Sequence, residues 1–330
     1  MNFKEVTVNN PLVSIIMSTY NEPYAYIKAA VDSLLAQTYS NIEYIIIVDN
    51  PENTEAIRAL KTYESSDERI MLHINPENRG LVYCLNYGTQ LSHGDYIARM
   101  DADDISLPDR IEKEVKFLHS HSCDMVSTQM IPIDEDGNTL PREGGPVYRR
   151  NHNLEKQMYC ENLVVHPSVL IKKSVLLDLQ GYRSIQSVED YDLWLRLLSC
   201  GYSIGIMEEP LLAHRISLEG VGRSDRYGQF LGAQYVRFLY RMRKRTGKDN
   251  HSEELFEKFR RKYHYYNRHA KRNYQKAYQA YCEAKIARNR GDRIAAFKLL
   301  GYSFLISGLR RRHVATVMYY KLRNFLVVSF

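Results

Sequence analysis

The sequence predicts an α/β domain built on a mostly parallel sheet flanked by helices, followed by an all-helical appendage. Over the first 130 residues, short apolar runs bounded by turn residues alternate with segments whose apolar positions recur at helical spacing. Strand–helix alternation of this kind builds a parallel sheet through right-handed crossovers. From about Gly222 onward only helical patterns remain, rich in Tyr and basic residues. Charge divides at the same place: residues 1–220 carry 19 Lys+Arg and 32 Asp+Glu, a net −13, whereas residues 221–330 carry 26 and 7, a net +19. Such asymmetry marks two functional parts. The boundary falls in Gly220–Arg226, giving an α/β domain over 1–220 and a basic, Tyr-rich helical region over 221–330.

The elements follow in order. Leu12–Met17 is a buried strand between Asn-Pro and the loop Tyr20-Asn21-Glu22-Pro23. Ile27, Ala30, Val31, Leu34 and Leu35 then share one helical face. Ile42–Val48 is a second buried strand, ending at Asp49 and the turn formers Asn50-Pro51. Helix 53–64, strand 69–74, helix 80–91 and strand 95–100 continue the alternation. Beyond Met100 the pattern changes. Leu107-Pro108 opens a helix to about His119, and strands at 124–128 and 130–140 flank the turn Asp134-Glu135-Asp136-Gly137-Asn138. Ser187–Cys200 reads as a helix ended by Gly201, and strands at 203–207 and 210–215 close the domain. In the appendage, Gly291-Asp292 breaks the long helical stretch 252–290.

The chain of 330 residues can hold one large domain plus a smaller one, and its 44% hydrophobic content suits a sizeable core. Met1–Asn10 has neither the basic start nor the apolar run of a secretory leader. Ala295–Leu309 is too short for a membrane span, which needs about 20 apolar residues, and contains Lys298. Five cysteines (84, 123, 160, 200, 282), scattered without a CxxC pair, read as reduced thiols in a cytosolic protein rather than a metal framework.

In an open parallel sheet, ligands bind beyond the carboxyl ends of the strands. Three such ends here turn polar: Ser18-Thr19-Tyr20-Asn21-Glu22, Asp49, and Asp101-Ala102-Asp103-Asp104. In extended backbone Asp101 and Asp103 point to one side and can converge. Converging carboxylates repel unless a cation sits between them, and Mg²⁺ or Mn²⁺ with diphosphate oxygens is the natural counter-charge. The plain alternative is a solvated loop before the helix at Pro108. Asp49, likewise, could simply cap helix 53–64. A second acidic cluster, Glu189-Asp190-Tyr191-Asp192, opens a helix that Ser187 could cap, and acids are stabilised there by the helix dipole. Functionally, Asp190 could take a proton from an acceptor hydroxyl as a general base.

Taken in series, these segments resemble glycosyltransferase family 2, whose members have the GT-A fold. The matching stretches are Val13–Glu22, Ile45–Asp49, Asn78-Arg79-Gly80-Leu81, Gly94–Asp104 with Pro108-Asp109-Arg110, His166-Pro167-Ser168, Gly181-Tyr182 and Val188–Trp194, within roughly residues 11–217. The resemblance implies an inverting, metal-dependent transfer of a sugar from a nucleotide donor, UDP by default, to a saccharide acceptor, lipid-linked in many bacterial surface-polysaccharide pathways (O-antigen, capsule). It assigns Thr19, Tyr20, Glu22, Asp49 and Arg79 to the donor nucleotide. Asp101 and Asp103 match the family's DxD pair on ribose and metal, Asp190 its catalytic base, and Glu189 and Trp194 its acceptor side. The His166-Pro167-Ser168 segment is either near the acceptor or a turn before a strand at Val169. Many members carry a metal-ligating histidine two residues after Tyr-Arg. This sequence reads His214-Arg215-Ile216-Ser217 there, so His214 is the candidate substitute, provided strand alternation points it the right way.

The tail lies outside the resemblance. Val314, Val317, Met318, Leu322, Phe325 and Leu326 form an apolar helical stripe after Arg310-Arg311-Arg312, and residues 221–330 hold twelve tyrosines. Such a helix can lie on an anionic membrane surface, here the inner face of the plasma membrane, or pack on the catalytic domain, or self-associate. No nucleic-acid-binding module is recognisable, so a nucleic-acid partner is not expected. Two other functions compete: a sugar nucleotidyltransferase, against which the missing Gly-rich loop after the first strand counts, and a non-catalytic nucleotide-sugar-binding scaffold.

Overall fold

The computed structural model describes residues 10–141, 153–185, 187–216 and 225–306. The chain forms two compact units: residues 1–143, 163–184 and 192–218 in the first, and 144–162, 185–191 and 219–330 in the second.

The first unit is a mixed sheet of eight described strands, β1 (Val13–Thr19), β2 (Ile42–Val48), β3 (Ile70–Ile74), β4 (Tyr96–Asp101), β5 (Ile105–Ser106), β6 (Met125–Ile133), β7 (Val169–Lys172) and β8 (Ile204–Arg215), in the order β3-β2-β1-β4-β7-β6-β8-β5. Strands β1, β2, β3 and β4 form its parallel half. Val and Ile dominate the first two because both sheet faces are covered, as parallel strands require. Val13, Ile15 and Met17 of β1 join Tyr96, Ala98 and Met100 of β4 in the main apolar core, beneath Ile27, Ala30, Val31 and Leu34 of helix α1 (Tyr24–Leu35). The parallel register pairs Thr19 with Val48 and Ser18 with Asp101, so the polar ends of β1, β2 and β4 lie along one edge. The order 3-2-1-4 reverses direction at β1, which is the switch point where such sheets bind ligands.

The other half is antiparallel or mixed. Here β7 runs antiparallel to both β4 and β6, β6 runs parallel to β8, and β5 pairs antiparallel with β8. Where the sequence suggested two pairs of short strands there are two long ones, β6 (Met125–Ile133) and β8 (Ile204–Arg215). Pro210 lies opposite Gln129, where the register shifts, and such an irregularity lets a strand continue past a proline. The turn at Asp134–Asn138 is as expected: the Asp134 carboxylate accepts from the Asp136 and Asn138 amides. Helices α2 (Thr54–Ser66), α3 (Leu81–Leu91) and α4 (Arg110–His121) fall near their expected places. His166–Ser168 forms a 3₁₀ turn leading into β7. Helices α5 (Leu154–Cys160) and α6 (Lys173–Asp178) have too few apolar repeats to be read from the sequence. Helix α7 spans Glu189–Ser199, starting two residues after Ser187, whose φ of 58° is incompatible with the helix.

The second unit is helical: Arg226–Thr246, Glu253–Lys262, Arg268–Asn289 and Arg293–Ile306. The 252–290 stretch is therefore two helices, the second capped by the Asn267 side chain on the Ala270 amide. Helix Arg226–Thr246 packs on Glu155, Tyr159, Cys160 and Tyr191, described residues of the segments 144–162 and 185–191 that belong to this unit. Arg237 donates to the Tyr191 hydroxyl at 3.1 Å and to the Cys160 carbonyl at 3.1 Å. Tyr240 packs at a tilt against Tyr159, ring centroids 5.6 Å apart, and its hydroxyl donates to the Glu155 carboxylate. The core here is aromatic, built on Tyr227, Leu231, Tyr265 and Tyr274. Helix Arg293–Ile306 exposes Ile294, Phe297 and Leu305. No described helix is long and apolar enough to cross a membrane. The stripe Val314–Leu326 lies outside the described residues.

Candidate active site

The polar edge of the parallel half is a network. After β1, the Glu22 carboxylate accepts from the Thr19 hydroxyl and the Tyr20 amide, both at 2.7 Å, which fixes the loop and leaves the Tyr20 ring exposed. Asn50 donates to Asn21 at 2.6 Å, tying this loop to the end of β2. Asp49 does not cap α2; Asn53 does, accepting from the Ala56 amide. Instead Asp49, only 4% exposed, receives the Asn75 side chain (2.7 Å) and the backbone amides of Arg79 and Gly80 (2.8 Å each). It thereby holds the loop that opens α3, where Gly80 takes a φ of +81° that glycine adopts without strain. Arg79 lies over the Tyr83 ring at 4.5 Å and pairs with Glu77.

At the end of β4 the extended backbone stops at Asp101, and residues 101–104 form a turn in which the Asp104 amide approaches the Asp101 carbonyl at 3.4 Å. A turn brings together residues three apart. Asp101, Asp104 and His214 therefore converge, each offering a ligand atom within 4.8 Å of the others. Asp103, expected to converge with Asp101 by strand alternation, is not in that set, because alternation no longer applies beyond Asp101. It remains electrostatically close: burial, then Asp101, Asp104 and Glu22, push its carboxyl up to about 7. Asp104 is fully buried, and burial raises its pKa against the opposing His214 hydrogen bond. His214 lies on β8 with Nδ1 3.0 Å from both Asp104 oxygens. Burial lowers its pKa, but the Asp104 bond and the surrounding carboxylates outweigh that and raise it.

Two arginines hold this cluster, and neither was singled out from the sequence. Arg99, almost buried, pairs with Asp101 from two residues earlier on β4. Arg215 donates its amide to Asp104 at 2.9 Å and its Nε to the Asp103 carbonyl at 2.9 Å, while its guanidinium lies 4.1 Å over the Tyr26 ring. A charged residue in the middle of the apolar run Tyr96-Ile97-Ala98-Arg99-Met100 is the signal that could have revealed the first, since such burial requires a partner. The donor set, oxygens plus one imidazole and several crowded carboxylates, suits a divalent cation. In the neutral tautomer that donates Nδ1–H to Asp104, the His214 Nε2 carries the lone pair that a cation would take.

Trp194 has no exposed surface. Its ring packs edge-on against His166 and Tyr182, at centroid distances of 5.9 and 6.4 Å, so it braces the fold and presents no face to an acceptor. His166 accompanies it, its imidazole kept neutral by burial and by Arg99. In the second unit, Asp190 receives the Asn162 side chain at 2.8 Å and lines a cavity of about 370 Å³. Arg226, Gln229, Phe230, Tyr274 and Tyr278 form much of the rest of its wall, whereas Glu189, half-buried, is not in it.

A sheet with this strand order, a carboxylate–histidine cluster at its switch point and helices on both sides defines a GT-A-type α/β transferase scaffold. The glycosyl transferase family 2 model matches residues 14–176. The chain is 37% identical over 210 residues to an uncharacterized glycosyltransferase of Methanocaldococcus jannaschii, covering 63% of this chain and 72% of that protein. It is 36% identical over 216 residues to the O-antigen biosynthesis glycosyltransferase WbnJ of Escherichia coli, covering 64% and 83%. Among solved structures, the mannosyltransferase PcManGT of Pyrobaculum calidifontis, in complex with GDP-Man and Mn²⁺, superposes with a TM-score of 0.58 at 17% identity, over 97% of this chain and 90% of that one. The protein is a member of glycosyltransferase family 2.

Proposed function

We propose that the enzyme is an inverting, metal-dependent glycosyltransferase of polysaccharide biosynthesis, moving one sugar from a nucleotide donor, UDP-linked by default, to a saccharide acceptor. The observation that carries this reading is the convergence of Asp101, Asp104 and His214 at the switch point, with Asp103 close enough for its carboxyl to be pushed up to about 7. Those residues would hold Mn²⁺ or Mg²⁺, whose charge would neutralise a leaving diphosphate. Thr19, Tyr20, Glu22 and the Asp49-ordered loop bearing Arg79 frame the nucleotide. Relatives support the polysaccharide setting, WbnJ being an O-antigen enzyme. The GDP-Man complex of PcManGT makes the donor base a point for direct assay.

In this reaction the acceptor hydroxyl gives its proton to Asp190 as its oxygen bonds to the anomeric carbon. The bond from that carbon to the diphosphate oxygen breaks, its electron pair leaves with the nucleoside diphosphate, and the configuration inverts. We place the reaction on the cytoplasmic side. The excess positive charge of residues 221–330 and the exposed Ile294, Phe297 and Leu305 support contact with an anionic membrane surface carrying a lipid-linked acceptor. Liposome co-sedimentation with and without anionic lipid tests that contact, and equal binding to neutral vesicles refutes it.

The deciding experiment screens UDP- and GDP-sugars with Mn²⁺, Mg²⁺ or chelator, using wild type and Asp190→Asn. The expected result is metal-dependent transfer that Asp190→Asn loses by 10²-fold or more, on the scale of general-base catalysis, with donor binding kept. Transfer undiminished in that variant would remove Asp190 from the chemistry, and function retained without turnover would make the protein a binding scaffold.

A further inference from the structure

The cavity bearing Asp190 is built largely from the helical region that follows the family match, and its chemistry is specific. Its volume of about 370 Å³ lies in the range of small-ligand sites. One wall is aromatic: Phe230 and Tyr274 lie 4.9 Å apart by ring centroids, with Tyr278 beyond at 6.5 Å. Such faces suit the apolar C–H surface of a sugar ring. The lining also holds two guanidinium groups in different states. Arg237 is buried and committed to Tyr191 and the Cys160 carbonyl. Arg226 is half-exposed and stacks 4.5 Å over the Tyr278 ring, and among the described residues it has no carboxylate partner and no hydrogen bond. A planar guanidinium held flat on a ring keeps its edge donors for a ligand, and that fork matches a carboxylate or a phosphate.

We infer that this cavity is the acceptor subsite and that it selects a saccharide carrying an anionic group, which Arg226 binds while the aromatic wall holds the ring. The inference rests on the glycosyltransferase reading, because the group it sets beside the acceptor is Asp190. The anion can be the carboxylate of an acidic sugar or the phosphate of a sugar phosphate such as the head of a lipid-linked acceptor. The shared requirement is one negative charge next to a pyranose. It also gives the basic appendage a part in substrate choice, since Arg226, Tyr274 and Tyr278 all belong to it.

The test uses the full chain and ligand-observed NMR titration with three probes: glucose, glucuronic acid and glucose 1-phosphate. UDP and diamagnetic Mg²⁺ are present throughout, to keep phosphate probes out of the nucleotide pocket. The expected result is that at least one anionic probe binds about tenfold or more tightly than glucose, as one charge-assisted hydrogen bond would give. Arg226→Gln should abolish the preference, and Arg226→Lys should restore part of it. Preference for glucuronic acid over the phosphate assigns an acidic sugar; the reverse assigns a phosphorylated one. Equal affinity for all three probes, a preference that survives Arg226→Gln, or binding of none of them overturns the inference. UDP binding, measured first in both variants, reports that they fold. If wild type fails to bind any nucleoside diphosphate, the glycosyltransferase reading fails instead, and the probe preference is then measured without UDP.

Discussion

Replacing Asp104 by Asn isolates the cation-holding role of the carboxylate cluster. In the wild-type protein, Asp101 and Asp104 present oxygens no more than 4.8 Å apart. At an effective dielectric of about 20, two unit charges at that distance repel by roughly 3 kcal/mol. The substitution removes that repulsion, together with a charge-assisted bond to His214 of about 1.5–3 kcal/mol, while the Asn oxygen can still accept from the Arg215 amide. The two terms largely offset each other, so metal-free stability should change by about 2 kcal/mol or less. The response to metal should change far more. A cation at a hundredfold excess over its dissociation constant stabilises a folded site by about 2.7 kcal/mol, or roughly 5–10 °C in Tm for a unit of this size. Thermal melts with MnCl₂ and with chelator measure both quantities. Wild type should show the metal-induced rise, and Asp104→Asn should lose most of it, with a chelator baseline moved by no more than that small residual. Equal metal shifts in the two proteins would refute the role of Asp104. A variant several kcal/mol less stable in chelator would mean that the residue is structural and that the repulsion has been overstated.

Glu114 gives a pH test away from the site. Burial pushes its carboxyl up to about 7 against the neighbouring Arg110, whose Nε lies 3.0 Å away, and neither side chain is exposed. The folded state therefore retains a proton that the unfolded chain, at the ordinary value of 4.5, has released. Stability from this group is present below pH 4.5 and declines as pH rises through about 7, by an amount on the order of 3 kcal/mol. Urea midpoints across that window should be flatter for Glu114→Gln; parallel curves for the two proteins would contradict the shift. Thiol reactivity checks the burial pattern. Cys200 is exposed, whereas burial and then Asp49 push Cys84 up to about 12. A thiol reagent near neutral pH should modify Cys200 first and reach Cys84 only on unfolding, as peptide mapping by mass spectrometry would record.

The parallel half of the sheet could be read from the sequence because its strands are short apolar runs, richest in Val and Ile in β1 and β2, alternating with helical patterns, and the polar residues where β1, β2 and β4 end put Thr19, Glu22, Asp49 and Asp101 on one edge. Periodicity misled where the backbone left the strand. The spacing of Asp101 and Asp103 implied convergence, but the turn pairs Asp101 with Asp104, a relation three residues apart that no strand pattern encodes. Asp49 had two readings, cap or ligand contact, and it took a third: its carboxylate orders the Arg79-Gly80 loop from 30 residues away. His214 could be named but not oriented, because its direction depends on how β8 pairs with β5 and β6. The cavity around Asp190 was beyond sequence reasoning altogether, since it joins positions more than 80 residues apart.

The interleaving of the two units has a consequence for how such an enzyme can diversify. The backbone passes from one unit to the other near residues 143, 162, 184, 191 and 218. Recombination that exchanged only the portion after 220 would import helices with no matching counterparts for Tyr159, Cys160 and Tyr191, and would orphan those left behind. New specificities in this lineage should therefore arise by point changes within the helices, or by exchanges that carry residues 144–162 and 185–191 along with them. A chimera made at the single junction near 220 should be insoluble where the three-segment graft folds.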